Sequence, residues 1–249
     1  MNETKFDGMG KGYAQFRPSY PQTFLDYLYS KLLFDENAII ADIGAGTGIL
    51  TRQLLERGSK VFAVEPNTDM RVAAEKELSS FANFVSINGT AEDTTLADDS
   101  TNFITVAQAF HWFDEESFKV ECKRILKQDG MVVLVWNTRD ETSPLVRDNN
   151  IINQKYCCNF KGFSGGMKSG EGDFSSFFKG DYETMSFANN LAFDEASFIG
   201  RSLSASYTLK EEDERYHEYI EELKALFKKY SINGRLIMPN MTKSYAGSM

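Results

Sequence analysis

Apolar and polar positions follow two rhythms along the first 137 residues. Short apolar runs, such as AIIADI at 38–43 and KVFAVE at 60–65, are typical of strands buried on both faces. Between such runs apolar residues recur every three or four positions, as in TGILTRQLLERG at 47–58, which predicts helices. The predicted strands are 38–43, 60–65, 83–88, 102–108 and 131–137, and the predicted helices are 47–58, 67–80 and 114–130.

Strands that alternate with helices in this way predict a parallel sheet with helices on both faces. Crossover connections between parallel strands are right-handed, so the expected fold is α/β with a doubly wound, Rossmann-like sheet. In such sheets a ligand lies at the carboxyl ends of the strands, where the order of the strands reverses.

The pattern weakens after residue 140. Residues 184–193, 203–208 and 235–245 have strand character, and 144–157 and 211–230 predict helices. The chain is interpreted as a single domain, 1–249. Its predicted parts are an N-terminal arm and helix at 1–35, a binding core at 36–140, an inserted cap at 141–181, and a C-terminal part at 182–249.

The composition narrows the class of partner. The net charge is −9, with a pI near 4.9, and neither half of the chain is basic, which argues against nucleic acid. No apolar window is long enough to span a membrane, and no secretory signal is visible. Three cysteines and two histidines form no metal-binding pattern, so we expect no metal centre. Together, these features predict a cytoplasmic protein that acts on a small molecule.

Three glycines, Gly44, Gly46 and Gly48, stand between the first predicted strand and helix. Glycine permits positive φ and lets a ligand approach the backbone. Glu65 follows Gly44 by 21 positions, which suits a carboxylate that binds a ribose diol. Dinucleotide sites favour a third glycine at position 49, which is Ile49 here, and Asp42 would repel a diphosphate. A nucleoside with a positive charge therefore fits better than NAD.

ADIGAGTG at 41–48, VFAVEP at 61–66 and NGTAEDT at 88–94 resemble the class I S-adenosylmethionine-dependent methyltransferases. The resemblance covers about residues 38–137 and implies a seven-stranded sheet whose last strand is antiparallel. It also implies S-adenosylmethionine as cofactor. The residues that it would place around the cofactor are Asp42, Gly44, Ala45, Gly46, Gly48, Glu65, Pro66, Asn67, Ala91, Glu92, Gln108 and Phe110.

KGYAQFRPSYP at 11–21 and AQAFHWFD at 107–114 are similar to the branch that includes trans-aconitate methyltransferase. In that branch the N-terminal arm folds over the cofactor, which would bring Tyr13 and Arg17 to its methionine end. The predicted cap at 141–181 matches least, and we expect it to cover the acceptor pocket.

Methyl transfer is an in-line displacement at a sulfonium carbon, so the protein mainly positions the nucleophile and excludes water. His111 is a candidate general base for a phenol, thiol or amine, and a core histidine is the alternative. A carboxylate acceptor needs no base, and Arg139, Arg147 and Arg201 are candidate clamps for it or ordinary surface residues. Trp112 is a candidate to contact the acceptor, and Phe110 is a candidate to contact the sulfonium. The alternative for both is core packing.

The sequence leaves two other functions open. One is a regulatory protein that binds S-adenosylmethionine without turnover. The other is a nicotinamide-dependent oxidoreductase, which Ile49 and Asp42 disfavour.

Overall fold

The computed structural model describes residues 18–163, 173–205 and 207–249. Tyr13 and Arg17, and the proposed fold of the N-terminal arm over the cofactor, lie outside these residues. The strands are β1 (Ile39–Ile43), β2 (Lys60–Val64), β3 (Phe84–Ile87), β4 (Thr101–Ala107), β5 (Leu126–Arg139), β6 (Glu183–Ala188), β7 (Leu191–Phe193), β8 (Leu236–Met238) and β9 (Asn240–Ser248). The helices are α1 (Gln22–Ser30), α2 (Ile49–Glu56), α3 (Thr68–Leu78), α4 (Glu115–Ile125), α5 (Pro144–Tyr156), α6 (Glu195–Leu203) and α7 (Tyr216–Tyr230).

Seven strands form one sheet in the order β3-β2-β1-β4-β5-β9-β6. Strands β1 to β5 are parallel, and β9 runs antiparallel to both of its neighbours, β5 and β6. The predicted Rossmann-like sheet with an antiparallel last strand is confirmed. The strand order reverses at β1, whose neighbours are β2 and β4, so their carboxyl ends are where a ligand crevice is expected.

Successive residues of the central strands face opposite sides of the sheet. Val133 and Val135 pack with α1, α2 and α3, whereas Val132 and Leu134 pack with α4. Both faces are therefore covered, which is why these strands have continuous apolar sequences. A third apolar cluster joins α5, α6 and α7 to β7 and β8, which pair as a separate two-stranded sheet.

Several predicted boundaries are wrong. Helix α4 ends at Ile125 rather than at 130, because Leu126 already pairs with Thr101 of β4. The predicted strand at 203–208 is not formed by the described residues there; α6 ends at Leu203 and a turn follows. The segments 184–193 and 235–245 each contain two strands rather than one.

The division of the chain into core and cap stays a prediction. Of the predicted cap, α5 packs against α7 of the C-terminal part. Leu145, Val146 and Tyr156 lie in the same apolar cluster as Tyr219 and Leu223. Among the described residues, no helix is both long and apolar enough to cross a bilayer.

Candidate functional site

The loop between β1 and α2 is left-handed at all three of its glycines, with φ of 68° at Gly44, 58° at Gly46 and 80° at Gly48. Two of them are also needed for packing. A Cβ at Gly44 would lie 2.6 Å from the Cβ of Ala109, and one at Gly48 would lie 2.6 Å from Cδ1 of Leu78. Among the residues that the structure describes, a Cβ at Gly46 would meet nothing within 4 Å, so these residues leave the space beside this backbone open to a ligand.

Glu65, at the carboxyl end of β2, is tied to this loop. Its Oε2 accepts a 2.8 Å hydrogen bond from Gly46 N–H, and its Oε1 accepts a 2.9 Å bond from Asn67 N–H. Burial raises the pKa of Glu65, and these two backbone bonds and Arg71 act against that rise. Each carboxylate oxygen keeps a further lone pair, so Glu65 can still accept from the hydroxyls of a ribose.

Asp42 lies beneath the loop and does not reach its surface. The residue is 1% exposed, and its carboxylate accepts from Thr51 Oγ1 at 2.6 Å and from Thr105 Oγ1 at 2.8 Å. Burial raises its pKa to about 6 against these two bonds, and the charge of Glu65 adds to the rise. The two threonines gave no sequence signal. The predicted place of Asp42 beside the cofactor stays a prediction.

The predicted adenine-side residues surround the same edge of the sheet. Asn67 caps α3 by accepting from Met70 N–H at 3.0 Å, and the Pro66 carbonyl accepts from Arg71. Ala91 is buried. Glu92 is half-buried, and its Oε1 accepts from Asp114 N–H at 3.0 Å, which ties the loop after β3 to the start of α4.

The chain beyond β4 reaches the crevice through a strained residue. Gln108 has a φ of 60°, donates its N–H to the Val135 carbonyl, and holds the Asn137 carbonyl through Nε2 at 3.4 Å. Phe110 is buried edge-on against several aromatic rings, which supports its role in core packing. His111 and Trp112 follow in a 3₁₀ turn, both half-buried, with ring centroids 4.7 Å apart.

The described chain begins beside this edge. Asn137 Nδ2 donates to the Pro18 carbonyl at 3.5 Å, and Asn189 Nδ2 donates to the Ser19 carbonyl at 3.0 Å. Tyr20 exchanges two backbone hydrogen bonds with the side chain of Gln53 on α2. Residue 18 therefore lies at the carboxyl end of β5. The role predicted for Tyr13 and Arg17 stays a prediction.

The structure brings together two of the three candidate arginines. Arg139, at the end of β5, and Arg201, on α6, line one cleft together with Asn240. Arg139 is paired with Asn240 across β5 and β9, so both residues lie on the same face. Arg147 does not line this cleft; it is exposed on α5 and donates to the Thr142 carbonyl. Sequence patterns could not single out Asn240, because its place depends on the register of β9.

Three comparisons relate this chain to known proteins. Residues 41–134 match the family model described as a methyltransferase domain. An uncharacterised methyltransferase-like protein of Schizosaccharomyces pombe is 32% identical over 213 residues, which are 85% of this chain and 82% of that protein. An uncharacterised methyltransferase of Mycobacterium tuberculosis is 40% identical over 136 residues, 55% of this chain and 53% of its own length, so the chain spans about half of that relative.

A solved structure shares the fold. A protein of Anaeromyxobacter dehalogenans, provisionally assigned as a type II methyltransferase, superposes with a TM-score of 0.62 over 94% of this chain and 98% of its own. The two sequences are 17% identical, so this likeness concerns the fold alone.

Proposed function

The chain belongs to the class I S-adenosylmethionine-dependent methyltransferases, and from this premise we propose that it methylates a small organic molecule. Acids that carry a carboxylate are the first class of acceptor to test. The observation that supports methyl transfer from S-adenosylmethionine most strongly is the hydrogen bond from Gly46 N–H to Glu65. No described residue occupies the space beside the Gly46 backbone, and the adjacent Glu65 carboxylate still has lone pairs that can accept hydrogen bonds.

The residues around the crevice fit S-adenosylmethionine. No described residue occupies the space where a Cβ of Gly46 would stand, and we propose that Glu65 accepts from the ribose hydroxyls. We propose that Ala91 and Asn67 border the adenine, and that the loop at 44–48 borders the methionine part. When bound, the cofactor supplies a methyl group on a sulfonium sulfur, which is already an activated leaving group.

On the acceptor side, the chain's own residues would position the nucleophile and exclude water. His111 is half-buried at the end of β4, where it can accept a proton from a phenol, thiol or ammonium acceptor. An acceptor that reacts through an ionised carboxylate needs no such base. The half-buried ring of Trp112, beside His111, offers an apolar face to the acceptor.

The similarity of residues 11–21 and 107–114 to the trans-aconitate methyltransferase branch supports a small acidic acceptor as a proposal only. The net charge of −9 supports the exclusion of nucleic acid from the acceptors. A regulatory protein that binds the cofactor without turnover is the competing hypothesis.

The experiment is an acceptor screen with mass-spectrometric detection of S-adenosylhomocysteine and of the methylated product. Purified protein and S-adenosylmethionine would be incubated with panels of small acids, phenols, thiols and amines, with Glu65→Gln as the cofactor-site control. The proposal predicts acceptor-dependent turnover that Glu65→Gln reduces. Cofactor binding without turnover on any panel would favour the regulatory hypothesis, and turnover on RNA or DNA alone would contradict a small-molecule acceptor.

A further inference from the structure

A cleft with an unusual polarity lies beyond the carboxyl end of β5. Its apolar walls are Leu191 and Phe193 of β7, Phe198 of α6, and Met238 of β8. Its polar residues include Arg139, Arg201 and Asn240. As it stands, the cleft has room for about one water molecule, so it fits the end group of a ligand rather than a whole ligand.

The cleft contains a buried polar atom that the fold leaves unsatisfied. Asn240 is 6% exposed, and its Oδ1 accepts no hydrogen bond from any residue that the structure describes. A buried acceptor without a donor costs about 1–3 kcal/mol. A fold that keeps an amide at such a position is suited to a ligand that brings a hydrogen-bond donor.

The charge of the cleft is opposite to that of the protein. The chain has a net charge of −9, yet two arginines line the cleft, and none of the described residues that line it is acidic. Arg139 is held by a cation–π contact with Phe163, whose ring centroid lies 3.7 Å from its Cζ. Arg201 donates from Nη1 to Ser204 Oγ at 3.3 Å. These two contacts steady guanidinium groups that suit a planar anion.

The cleft also lies at the carboxyl edge of the sheet, as the glycine loop does. Val135 pairs with Ala107, the last residue of β4, and Arg139 lies four residues further along β5. At about 3.3 Å per residue, Arg139 is roughly 13 Å beyond the end of β4 along the strand direction. A ligand whose end group is seated in the cleft can therefore reach the crevice at the glycine loop only if its body is roughly 13 Å long.

We propose that this cleft binds the carboxylate end of the methyl acceptor, and that the acceptor carries a hydrogen-bond donor next to that carboxylate and an apolar body. Arg139 and Arg201 hold the carboxylate, and Asn240 accepts from the neighbouring hydroxyl or amine. This inference rests on the proposed function for the identity of the ligand as an acceptor. The predicted ligand class is a hydroxy or amino acid whose apolar body is long enough, roughly 13 Å, to reach from the cleft to the crevice.

The probe for the test is 2-hydroxyisocaproate, which represents the end of such an acceptor: a carboxylate, an adjacent hydroxyl and a short apolar isobutyl group. Ligand-detected NMR titrations of the full chain, with and without saturating S-adenosylhomocysteine, would compare it with two analogues. One is the neutral 2-hydroxyisocaproamide, and the other is 4-methylpentanoate, which lacks the hydroxyl. The variants are Arg201→Gln, Arg201→Lys and Asn240→Asp. The control is Arg235→Gln, which removes the same charge from an exposed arginine beside β8.

We expect the acid to bind wild type and Arg235→Gln alike. Arg201→Gln should raise its Kd about 10- to 100-fold, because a hydrogen bond to a charged group is lost. Arg201→Lys should recover part of that loss, since it restores charge but not the guanidinium fork. Asn240→Asp should weaken binding of the acid more than binding of the amide, because the Asp side chain would place a second carboxylate in the cleft. Removing the hydroxyl should weaken binding to wild type several-fold.

Equal affinity for acid and amide, an unchanged Kd in Arg201→Gln, or no binding of any probe at about 50 mM would overturn the inference. Circular dichroism, measured on the same samples, verifies that each variant is folded. Calorimetric binding of S-adenosylhomocysteine separates the two proposals. If the cofactor binds normally and binding of the acid does not depend on Arg201, only the proposal for the cleft is overturned. Arginine-dependent acid binding without any cofactor binding overturns the proposed function.

Discussion

Alanine at Gly46 and alanine at Gly48 should damage this protein in two different ways. Both residues have positive φ, 58° and 80°, so any L side chain there costs about 1–2 kcal/mol in backbone strain. At Gly46 the new Cβ would meet no described residue within 4 Å, so strain is the whole loss of folding free energy that these residues predict. That Cβ would, however, fill the space in which we place the cofactor.

At Gly48 the strain is joined by a clash. The new Cβ would lie 2.6 Å from Leu78 Cδ1 and 3.4 Å from Ala74 Cβ, and α3 would have to shift or Leu78 would have to change its rotamer. Overpacking of this kind costs about 1–3 kcal/mol. The total loss in Gly48→Ala should therefore be about 2–5 kcal/mol.

Urea denaturation gives the free energy of unfolding of each variant, and calorimetry gives its affinity for S-adenosylhomocysteine. We expect Gly46→Ala to lose only the strain of about 1–2 kcal/mol in stability, and at least about 10-fold in affinity, the effect of one well-placed steric conflict of about 1.4 kcal/mol. Gly48→Ala should lose more stability than Gly46→Ala. If Gly46→Ala bound S-adenosylhomocysteine as wild type does, the cofactor would not lie against this backbone, and the reasoning from the open space would fail.

Three further changes test the site. Burial raises the pKa of Asp42 from its ordinary 3.8 to about 6 in the folded protein. Between these two pH values the folded chain holds a proton that the unfolded chain has released. The free energy of unfolding therefore falls by up to about 3 kcal/mol as pH rises through this range. Asp42→Asn should flatten this part of the stability–pH curve in urea denaturation, and parallel curves would contradict it. Glu65→Gln should weaken S-adenosylmethionine about 10-fold or more by calorimetry, because a charged acceptor is lost, and wild-type affinity would remove Glu65 from the ribose site. His111→Ala should lower kcat about 10²–10⁴-fold for a phenol, thiol or amine acceptor and alter the pH–rate profile, and an unchanged profile would leave His111 a packing residue.

The N-terminal half of the fold could be predicted closely because its signals are local. The four predicted strands from 38–43 to 102–108 lie within one residue of β1 to β4 at each end, since each is a bounded apolar run. The glycine loop and Glu65 were also predictable, because they follow the ends of β1 and β2, which are neighbouring parallel strands. Their proximity is confirmed by the hydrogen bond between Gly46 and Glu65.

The errors arise where tertiary contacts override the local pattern. The sequence suggested that Gly130 ends a helix, but a Cβ there would lie 2.7 Å from Leu126 Cδ2 and 3.0 Å from the Lys127 carbonyl. This glycine serves close packing at the start of β5, and the pairing of Leu126 with Thr101 ends α4 earlier. Helix α6 was missed, although Asp194 and Ser197 form a capping box at its start.

The cleft could not be predicted because its residues are far apart in the chain. Arg139, Arg201 and Asn240 belong to β5, α6 and β9. The antiparallel register of β9 brings Asn240 beside Arg139, and the packing of α6 in the third apolar cluster brings Arg201 to the same cleft. The sequence supplied the arginines as candidates but gave no reason to separate Arg201 from Arg147. The role of Asp42 was similarly hidden, since its partners Thr51 and Thr105 come from a helix and from a neighbouring strand.

The most direct test of the account is calorimetric titration of the full chain with S-adenosylmethionine and S-adenosylhomocysteine, with NADH as the comparison ligand. The account predicts micromolar binding of both sulfur nucleosides, weakened by Glu65→Gln and by Gly46→Ala, and no comparable binding of NADH. Tight binding of NADH with none of S-adenosylmethionine would contradict it, because the crevice at Gly46 and Glu65 would then serve a different ligand on a shared fold.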